Sequence, residues 1–494
     1  MKKSITKNYI YNLTYQILVL ILPLITTPYI SRVLGAENIG IYSYTISITT
    51  FFILFGSLGI ALYGQREIAY VQNDKKKYSN TFWEIVILRA ITMFISLVIF
   101  YFTFANGNND YQLYYKILIL EILANIIDIS WFFQGLEEFK KTVVRNIIVK
   151  LISLICIFTL VKNRNDLPIY LGIYVLSTFL GNLSLWFYLP KYIKKINLNE
   201  LKILRHLKPT ISLFIPQIAI QVYTLLDKTM IGAIINDKTE VGYYEQAQKI
   251  IKILLTIEGT LGTVMMPRIA KSFAENDEEK IKLYIEKSFH MAYFLAFPLI
   301  FGVISVANAF VPLFFGEGYD KTVIIMQITS AIILFIGISG TIGHQYLLPT
   351  KKQKEYTISV ICGALMNIIM NALLIFKLGA IGAAIGTIIA ELTVALVQIM
   401  FVRKELDIKK ILGISKKYIL ASVIMFIICK IISGLIRRNI ISVMVQVIVG
   451  AIIYFVVLVV LKDEFIKELF DKIINFIKKG RKTDNEGNHK KDFD

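Results

Sequence analysis

Apolar stretches of bilayer length recur along the chain, separated by short polar turns. A transmembrane helix needs about 20 mainly apolar residues, so the pattern predicts about fourteen spans. They fall at 9–33, 39–63, 82–105, 111–133, 142–162, 168–189, 209–235, 240–265, 287–311, 322–348, 355–376, 380–402, 416–436 and 440–462. The pair 355–376 and 380–402 is parted only by the turn at Lys377-Leu378-Gly379. The expected fold class is therefore an all-α polytopic membrane protein with about 14 transmembrane helices. The start, Met1-Lys2-Lys3 and then a long apolar run, mimics a signal peptide, but the run passes Pro28 with no small-residue cleavage site. It reads as an uncleaved first helix.

The turns are strongly sided. Lys75-Lys76-Lys77, Lys140-Lys141, Lys191, Lys194-Lys195, Lys280, Lys282, Lys351-Lys352, Lys409-Lys410, Lys416-Lys417 and Lys478-Lys479 fall on one side. The other side holds only Arg32, Lys162, Arg164, Lys238, Lys321, Lys377, Arg437 and Arg438. The positive-inside rule then expects both termini in the cytoplasm and an even number of spans. The outer turns are short and leave no room for an outer domain. The polar tail from Lys478 to Asp494 is expected to be disordered.

Composition adds little to this picture. Of 494 residues 56% are hydrophobic and 18% charged, with a net charge of +19. That charge sits in short blocks between apolar runs, so it argues for membrane orientation and no nucleic-acid partner. Cys156, Cys362 and Cys429 lie inside apolar runs and read as packing residues. His206, His290, His344 and His489 are scattered, and no metal site is expected. No Gly-x-x-x-x-Gly-Lys stretch occurs, which argues against direct ATP coupling.

A repeat shows at one offset. Gly40-Ile41-Tyr42 matches Gly242-Tyr243-Tyr244, and Arg66 of Gln65-Arg66-Glu67-Ile68-Ala69 matches Arg268 of Pro267-Arg268-Ile269-Ala270. Both pairs are 202 residues apart. The expected division is an N-terminal lobe at 1–202, a C-terminal lobe at 203–404, two additional helices at 405–462 and a cytoplasmic tail at 463–494. Six spans per copy give parallel repeats, an architecture that places substrate between halves.

Ionisable groups inside spans are expensive and normally face protein or a wet cavity. Arg89, Lys150, Lys228, Lys249 and Lys252 are candidates to line a substrate cavity, as is Arg32 at the end of the first span. Asp128, Asp227, Glu245, Glu258 and Glu391 are candidate acidic or coupling residues. Glu245 and Lys249 share a helix face, as do Lys249 and Lys252. With Asp227 and Lys228 they are expected on one charged wall. The competing reading is ion pairs, such as Asp227 with Lys249, that only join two helices. Glu84 and Arg89 are a second candidate pair, and Asp128 beside Trp131 also reads as an interfacial residue in an aromatic belt. Pro23, Pro28, Pro209 and Pro216 interrupt the helices that open each repeat and are hinge candidates. Gly379, Gly382 and Gly386 have the spacing of close helix packing.

The motifs Pro28-Tyr29-Ile30-Ser31-Arg32-Val33-Leu34-Gly35, Gly40-Ile41-Tyr42-Ser43, Arg66-Glu67-Ile68-Ala69 and Trp131-Phe132-Phe133-Gln134-Gly135 resemble a known family. So do Asp227-Lys228-Thr229-Met230-Ile231-Gly232, Val241-Gly242-Tyr243-Tyr244 and Met266-Pro267. The chain resembles the polysaccharide-unit flippases of the multidrug/oligosaccharidyl-lipid/polysaccharide exporter superfamily. The resemblance weakens after about residue 405. It implies two six-helix lobes around a central cationic cavity, plus two C-terminal helices. It implies a secondary transporter, not an enzyme, in the bacterial plasma membrane. The implied cargo is an undecaprenyl-pyrophosphate-linked oligosaccharide, moved from inner to outer leaflet by alternating access. An ion gradient, of H+ or Na+, is implied as the drive, with membrane lipids and polysaccharide polymerase machinery as partners. The alternatives are a multidrug exporter or a peptidoglycan lipid-precursor flippase of the same superfamily. A membrane polymerase or glycosyltransferase is more remote, because such enzymes need a sizeable outer loop.

Overall fold

A computed structural model describes residues 5–107, 110–194, 196–436 and 439–468. The side chains of Pro216 and Glu258 lie outside those described, and so does the expected disordered tail. Among the described residues the regular structure is helical. The helices are α1 (Ile5–Ser57), α2 (Ile60–Val71), α3 (Lys75–Phe100), α4 (Gln112–Ile126), α5 (Ser130–Gly135), α6 (Phe139–Leu160), α7 (Leu167–Trp186) and α8 (Leu207–Ile234). They continue as α9 (Thr239–Ala274), α10 (Glu278–Phe315), α11 (Asp320–Thr329), α12 (Ile332–Ser339), α13 (Gln353–Leu378), α14 (Ala380–Val402), α15 (Ile408–Leu435) and α16 (Ile440–Val460).

Eleven helical stretches among the described residues are long and apolar enough to cross a membrane. The expected number was about fourteen, and part of the difference has a local cause. The first stretch, Ile17–Val71, takes in two expected spans, 9–33 and 39–63. They join through a break inside α1 at Gly35, whose φ of 77° a side-chain-bearing residue would resist. α8 and α9 occupy two further expected spans as helices of 28 and 36 residues. Elsewhere a single expected span is broken. Span 111–133 becomes α4 and α5, because Asp128 Oδ1 accepts the Ser130 N–H at 2.9 Å in place of a helix-ladder bond. Span 322–348 becomes α11, α12 and a π-helical run, Gly340–Leu347.

The chain forms two compact units. Unit 1 comprises Met1–Lys249, Phe314–Ile325 and Gly363–Ala390, and unit 2 comprises Ile250–Leu313, Met326–Cys362 and Glu391–Asp494. These follow neither edge of the expected lobes at 1–202 and 203–404, which rest on the sequence repeat. Unit 1 has two cores. One gathers Ile30, Ile48, Phe100, Tyr115, Ile122 and Leu171 from α1, α3, α4 and α7. The other gathers Tyr63, Phe82, Trp131, Phe132 and Leu185. Trp131 is fully buried and stacked on Phe82 at 5.7 Å, so it is a core residue and not part of an interfacial belt. Gly64 lies against its ring, where a Cβ would come within 2.5 Å. The core of unit 2 draws on α10, α15 and α16, with Phe289, Tyr293, Tyr418 and Tyr454 at its centre.

One contact in unit 1 is unusually tight. A Cβ on Gly40 would stand 1.7 Å from the Lys238 carbonyl oxygen, and one on Gly242 would stand 2.0 Å from that of Ala36. α1 and the start of α9 therefore cross backbone to backbone. The offset of 202 residues relates Gly40 to Gly242 and also Ala36 to Lys238. Lys238 is no free outer charge. It is buried, and its ammonium donates to the carbonyls of Gly232 at 2.6 Å and Ile235 at 3.2 Å, closing the end of α8.

Candidate functional site

A cavity of about 420 Å³ opens within unit 1, inside the range of small-ligand sites, about 300–1,000 Å³. α1 supplies Pro23, Thr27 and Tyr42, and α6 supplies Arg145, Asn146 and Lys150. α7 supplies Tyr170, Tyr174 and Asn182, and α9 supplies Glu245, Gln246 and Lys249. Among the described residues, three cations and one carboxylate therefore face one space. Glu245 is ion-paired with Lys228 from α8 and stands 3.9 Å from Lys249 one helical turn away. Arg145 donates from Nη1 to Asn182 Oδ1 at 2.7 Å, and Asn182 donates on to the Ala124 carbonyl at 2.8 Å. Gln246 donates to Ser31 Oγ at 2.8 Å, holding α9 against α1.

The expected charged wall is only partly assembled. Glu245 and Lys249 line the cavity, and Lys228 touches it through Glu245. Lys252 is exposed one turn further along α9 and is not among the lining residues. Asp227 departs from the expectation most, because neighbouring residues on a helix point about 100° apart. It turns away from Lys228, is 3% exposed, and does not pair with Lys249. Its Oδ1 accepts from Asn371 Nδ2 at 2.6 Å and Asn367 Nδ2 at 3.0 Å. Its Oδ2 accepts from Tyr244 Oη at 2.5 Å and Thr387 Oγ1 at 2.9 Å. Gln248 in turn donates to Tyr244 Oη at 2.8 Å. Gly386 leaves the room this cage needs, since a Cβ there would lie 2.4 Å from Asn371 Oδ1. Gly382 packs as closely on the Leu374 carbonyl. The cage can admit a small cation or a proton only if some of its four donors turn away.

Most other candidates lie outside the cavity lining. Arg89 is 3% exposed, donates from Nε to the Asn125 carbonyl at 2.8 Å and stands 3.7 Å from Asp128. It is not in the cavity lining, and its carboxylate partner is Asp128, not Glu84. Glu84 instead binds Arg205 at 2.5 Å, His206 at 2.8 Å and the Lys202 N–H at 2.7 Å. Arg32 is exposed and donates to the Pro28 carbonyl at 3.2 Å. Glu391 is buried within unit 2. Pro23 and Pro28 lie inside α1, and Pro23 lines the cavity. Pro209 is the third residue of α8, in the first turn, where the missing N–H breaks no ladder bond. It is not positioned to kink the helix. Glu258 and Pro216 are the candidates whose side chains lie outside those described.

Sequence reasoning missed Asn367, Asn371, Thr387 and Arg145. The first two carried a signal: two amides four apart on one face of an apolar helix. Arg145 was hidden by the basic block at Lys140-Lys141, which made it look like an orientation charge.

The chain matches the family described as "Polysaccharide biosynthesis protein" over residues 5–273, more than half its length, and MatE over residues 213–373. A "Putative O-antigen transporter" of Escherichia coli K12 is 28% identical over 411 residues, covering 82% of this chain and 98% of that protein. "Capsular polysaccharide biosynthesis protein CapF" of Staphylococcus aureus is 23% identical over 406 residues, covering 81% and 99%. Among solved structures, the lipid II flippase MurJ in an inward closed conformation superposes with a TM-score of 0.71 at 18% identity, over 94% of this chain and 100% of that one. An inward-facing multidrug resistance MATE family transporter gives 0.61 at 14% identity, over 80% and 95%. At those identities the likeness is one of fold.

Proposed function

The chain belongs to the polysaccharide biosynthesis protein family, in the multidrug/oligosaccharidyl-lipid/polysaccharide exporter superfamily, and from that membership we propose what it carries. The cargo is an oligosaccharide repeat unit linked to undecaprenyl pyrophosphate. It moves from the inner to the outer leaflet of a bacterial plasma membrane by alternating access, with both termini in the cytoplasm. The observation that carries this reading is the cavity of unit 1, where among the described residues Arg145, Lys150 and Lys249 stand against one carboxylate, Glu245. A diphosphate and its sugars cannot cross hydrocarbon unaided. A basic, hydroxyl-rich space shelters them while the lipid tail stays in the bilayer. A carrier of organic cations would call for the opposite sign.

Asp227 is the coupling carboxylate in this scheme. It is buried among neutral donors, away from the cavity cations, so an H+ or Na+ can be exchanged there without competing with the cargo. Surface polysaccharide polymerase machinery is the downstream partner, since it consumes the outer-leaflet product.

The test is complementation of a strain lacking its own repeat-unit flippase, with surface polysaccharide and inner-leaflet lipid-linked intermediate both measured. Export restored by the chain and lost in Lys249→Ala at equal protein level supports the reading. Drug resistance gained without export, in a strain whose repeat unit matches, moves the chain to the multidrug branch.

A further inference from the structure

The cavity of unit 1 has two chemically different ends, and we propose that it reads its cargo in register. Arg145 and Lys150 hold the diphosphate of a lipid-linked glycan, and Tyr174, Tyr170 and Tyr42 hold the sugars beyond it. This rests on the flippase reading and adds which residues take which part of the ligand.

The register comes from α6 and α7. The bond from Arg145 to Asn182 at 2.7 Å ties one level of the two helices together. The short link at 161–166 joins their other ends, so they run antiparallel. At 1.5 Å per residue, Lys150 stands about 7.5 Å along α6 from that level. On α7, Tyr174 stands about 12 Å from Asn182 and Tyr170 about 18 Å. The Tyr42 ring lies 5.0 Å from Tyr170 and 6.1 Å from Tyr174, so the three rings form one continuous wall. Along α6 and α7 the lining thus runs from guanidinium and ammonium to phenols.

The two ends fit different chemistry. Arginine and lysine give charge-assisted bonds to phosphate oxygens. Tyrosine faces receive the C–H surface of a sugar ring, and their hydroxyls bond to sugar hydroxyls. These three tyrosines are only half-buried and line open space, whereas Tyr115, a packing tyrosine of the same unit, is 2% exposed. The lining carboxylate among the described residues, Glu245, is already held by Lys228 and Lys249, which blunts its repulsion of a phosphate.

The order of the ends also matches delivery. Arg145 is four residues beyond Lys141, at the end of α6 that carries a basic block, which the positive-inside rule puts at the cytoplasmic face. A lipid anchored in the inner leaflet holds its diphosphate at that headgroup level. Its glycan then extends deeper, toward the tyrosines.

The experiment uses the full chain in lipid nanodiscs and three probes: farnesyl diphosphate, and the same lipid diphosphate carrying one sugar or three. We expect the parent to bind the trisaccharide probe most tightly. Tyr170→Ala and Tyr174→Ala should remove that advantage, about tenfold, and leave farnesyl diphosphate unchanged. Arg145→Gln and Lys150→Gln should weaken all three probes about tenfold. Tyr174→Phe keeps the ring and should keep most of the advantage; it stands in if the alanine variants fail to fold. Tyrosine variants that weaken all three probes alike, or an Arg145→Gln effect confined to the trisaccharide, overturn the register. A parent that binds the three probes equally overturns it too, while leaving the flippase reading in place. A parent that binds none of them removes the flippase reading as well.

Discussion

Adding one methyl group at Gly40 should change how the protein distributes between conformations. A Cβ there would stand 1.7 Å from the Lys238 carbonyl oxygen and 2.6 Å from its carbon, against an ordinary contact of 3.4 Å or more. The obstacle is backbone, not the end of a flexible side chain. Nor can the turn swing aside easily, because the Lys238 ammonium is anchored on the carbonyls of Gly232 and Ile235. The strands of backbone must part by more than an ångström, and overpacking of this kind costs up to about 3 kcal/mol. That penalty falls only on arrangements in which α1 and α9 cross, so it favours those in which they are apart by about a hundredfold. Ser47, hydrogen-bonded to Thr229 at 2.9 Å two turns along α1, reports on the change. In a background with Cys156, Cys362 and Cys429 replaced by serine, Ser47→Cys should react slowly with a membrane-impermeant maleimide. Adding Gly40→Ala should speed the reaction at least tenfold and depress transport. Gly242→Ala should act alike, and the two together should do little more than either, because both methyls fill one gap. Unchanged labelling with full transport in Gly40→Ala would refute the argument.

Two further outcomes follow from other parts of the chain. Asp227→Asn keeps the size of the caged group and removes its charge, so the protein should accumulate normally but transport should lose its response to an imposed H+ or Na+ gradient; a retained response in proteoliposomes sinks the assignment. Glu405 lies in the link between α14 and α15, outside the spans. Burial pushes its carboxyl up, but hydrogen bonds from Lys352 and from Tyr346 at 2.6 Å outweigh this and hold it below its ordinary value of 4.5. A lowered carboxyl contributes stability above its ordinary value and loses it as pH falls through the folded value. Melting of the parent should therefore drop below about pH 4.5 by more than that of Glu405→Gln; parallel melting curves would contradict it.

The helices were legible because hydrocarbon thickness imposes a length on apolar runs, and no local detail can override it. Their breaks were not. Nothing in the run 111–133 announces that Asp128 will take the Ser130 N–H and end α4, because an Asp near Trp131 suits an interface equally well. The cavity was half legible. Charge in an apolar run is conspicuous, so Lys150, Glu245 and Lys249 could be picked out, while Arg145 was hidden in a basic block; in the Asp227 cage the paired amides Asn367 and Asn371 left a weaker signal and Thr387 left none. Direction was the weakest link. Asp227 and Lys228 are adjacent in sequence, yet one enters a cage of neutral donors and the other meets Glu245. Only the packing of α13 and α14 decides that.

The 202-residue offset separates what is paired from what is not. The crossing obeys it, since Gly40 and Gly242 each meet the carbonyl four residues before the other. The charges do not. Subtracting 202 from Asp227, Lys228, Glu245 and Lys249 gives Ile25, Thr26, Ser43 and Ser47, none of them ionisable. The cage residues Asn371 and Thr387 map in the same way to Ile169 and Leu185. A pivot gains from symmetry, because two helices that cross on matching backbone can part and close without changing partners. A coupling site gains from asymmetry, because one carboxylate gives one ion per cycle, and a second copy across the pivot would compete with it. Under the proposed scheme motion falls to the paired glycines and energy input to one side alone. A carboxylate installed by Ile25→Asp should add no coupling, since at the matching positions it would find an isoleucine and a leucine in place of the amide and hydroxyl donors that Asp227 uses.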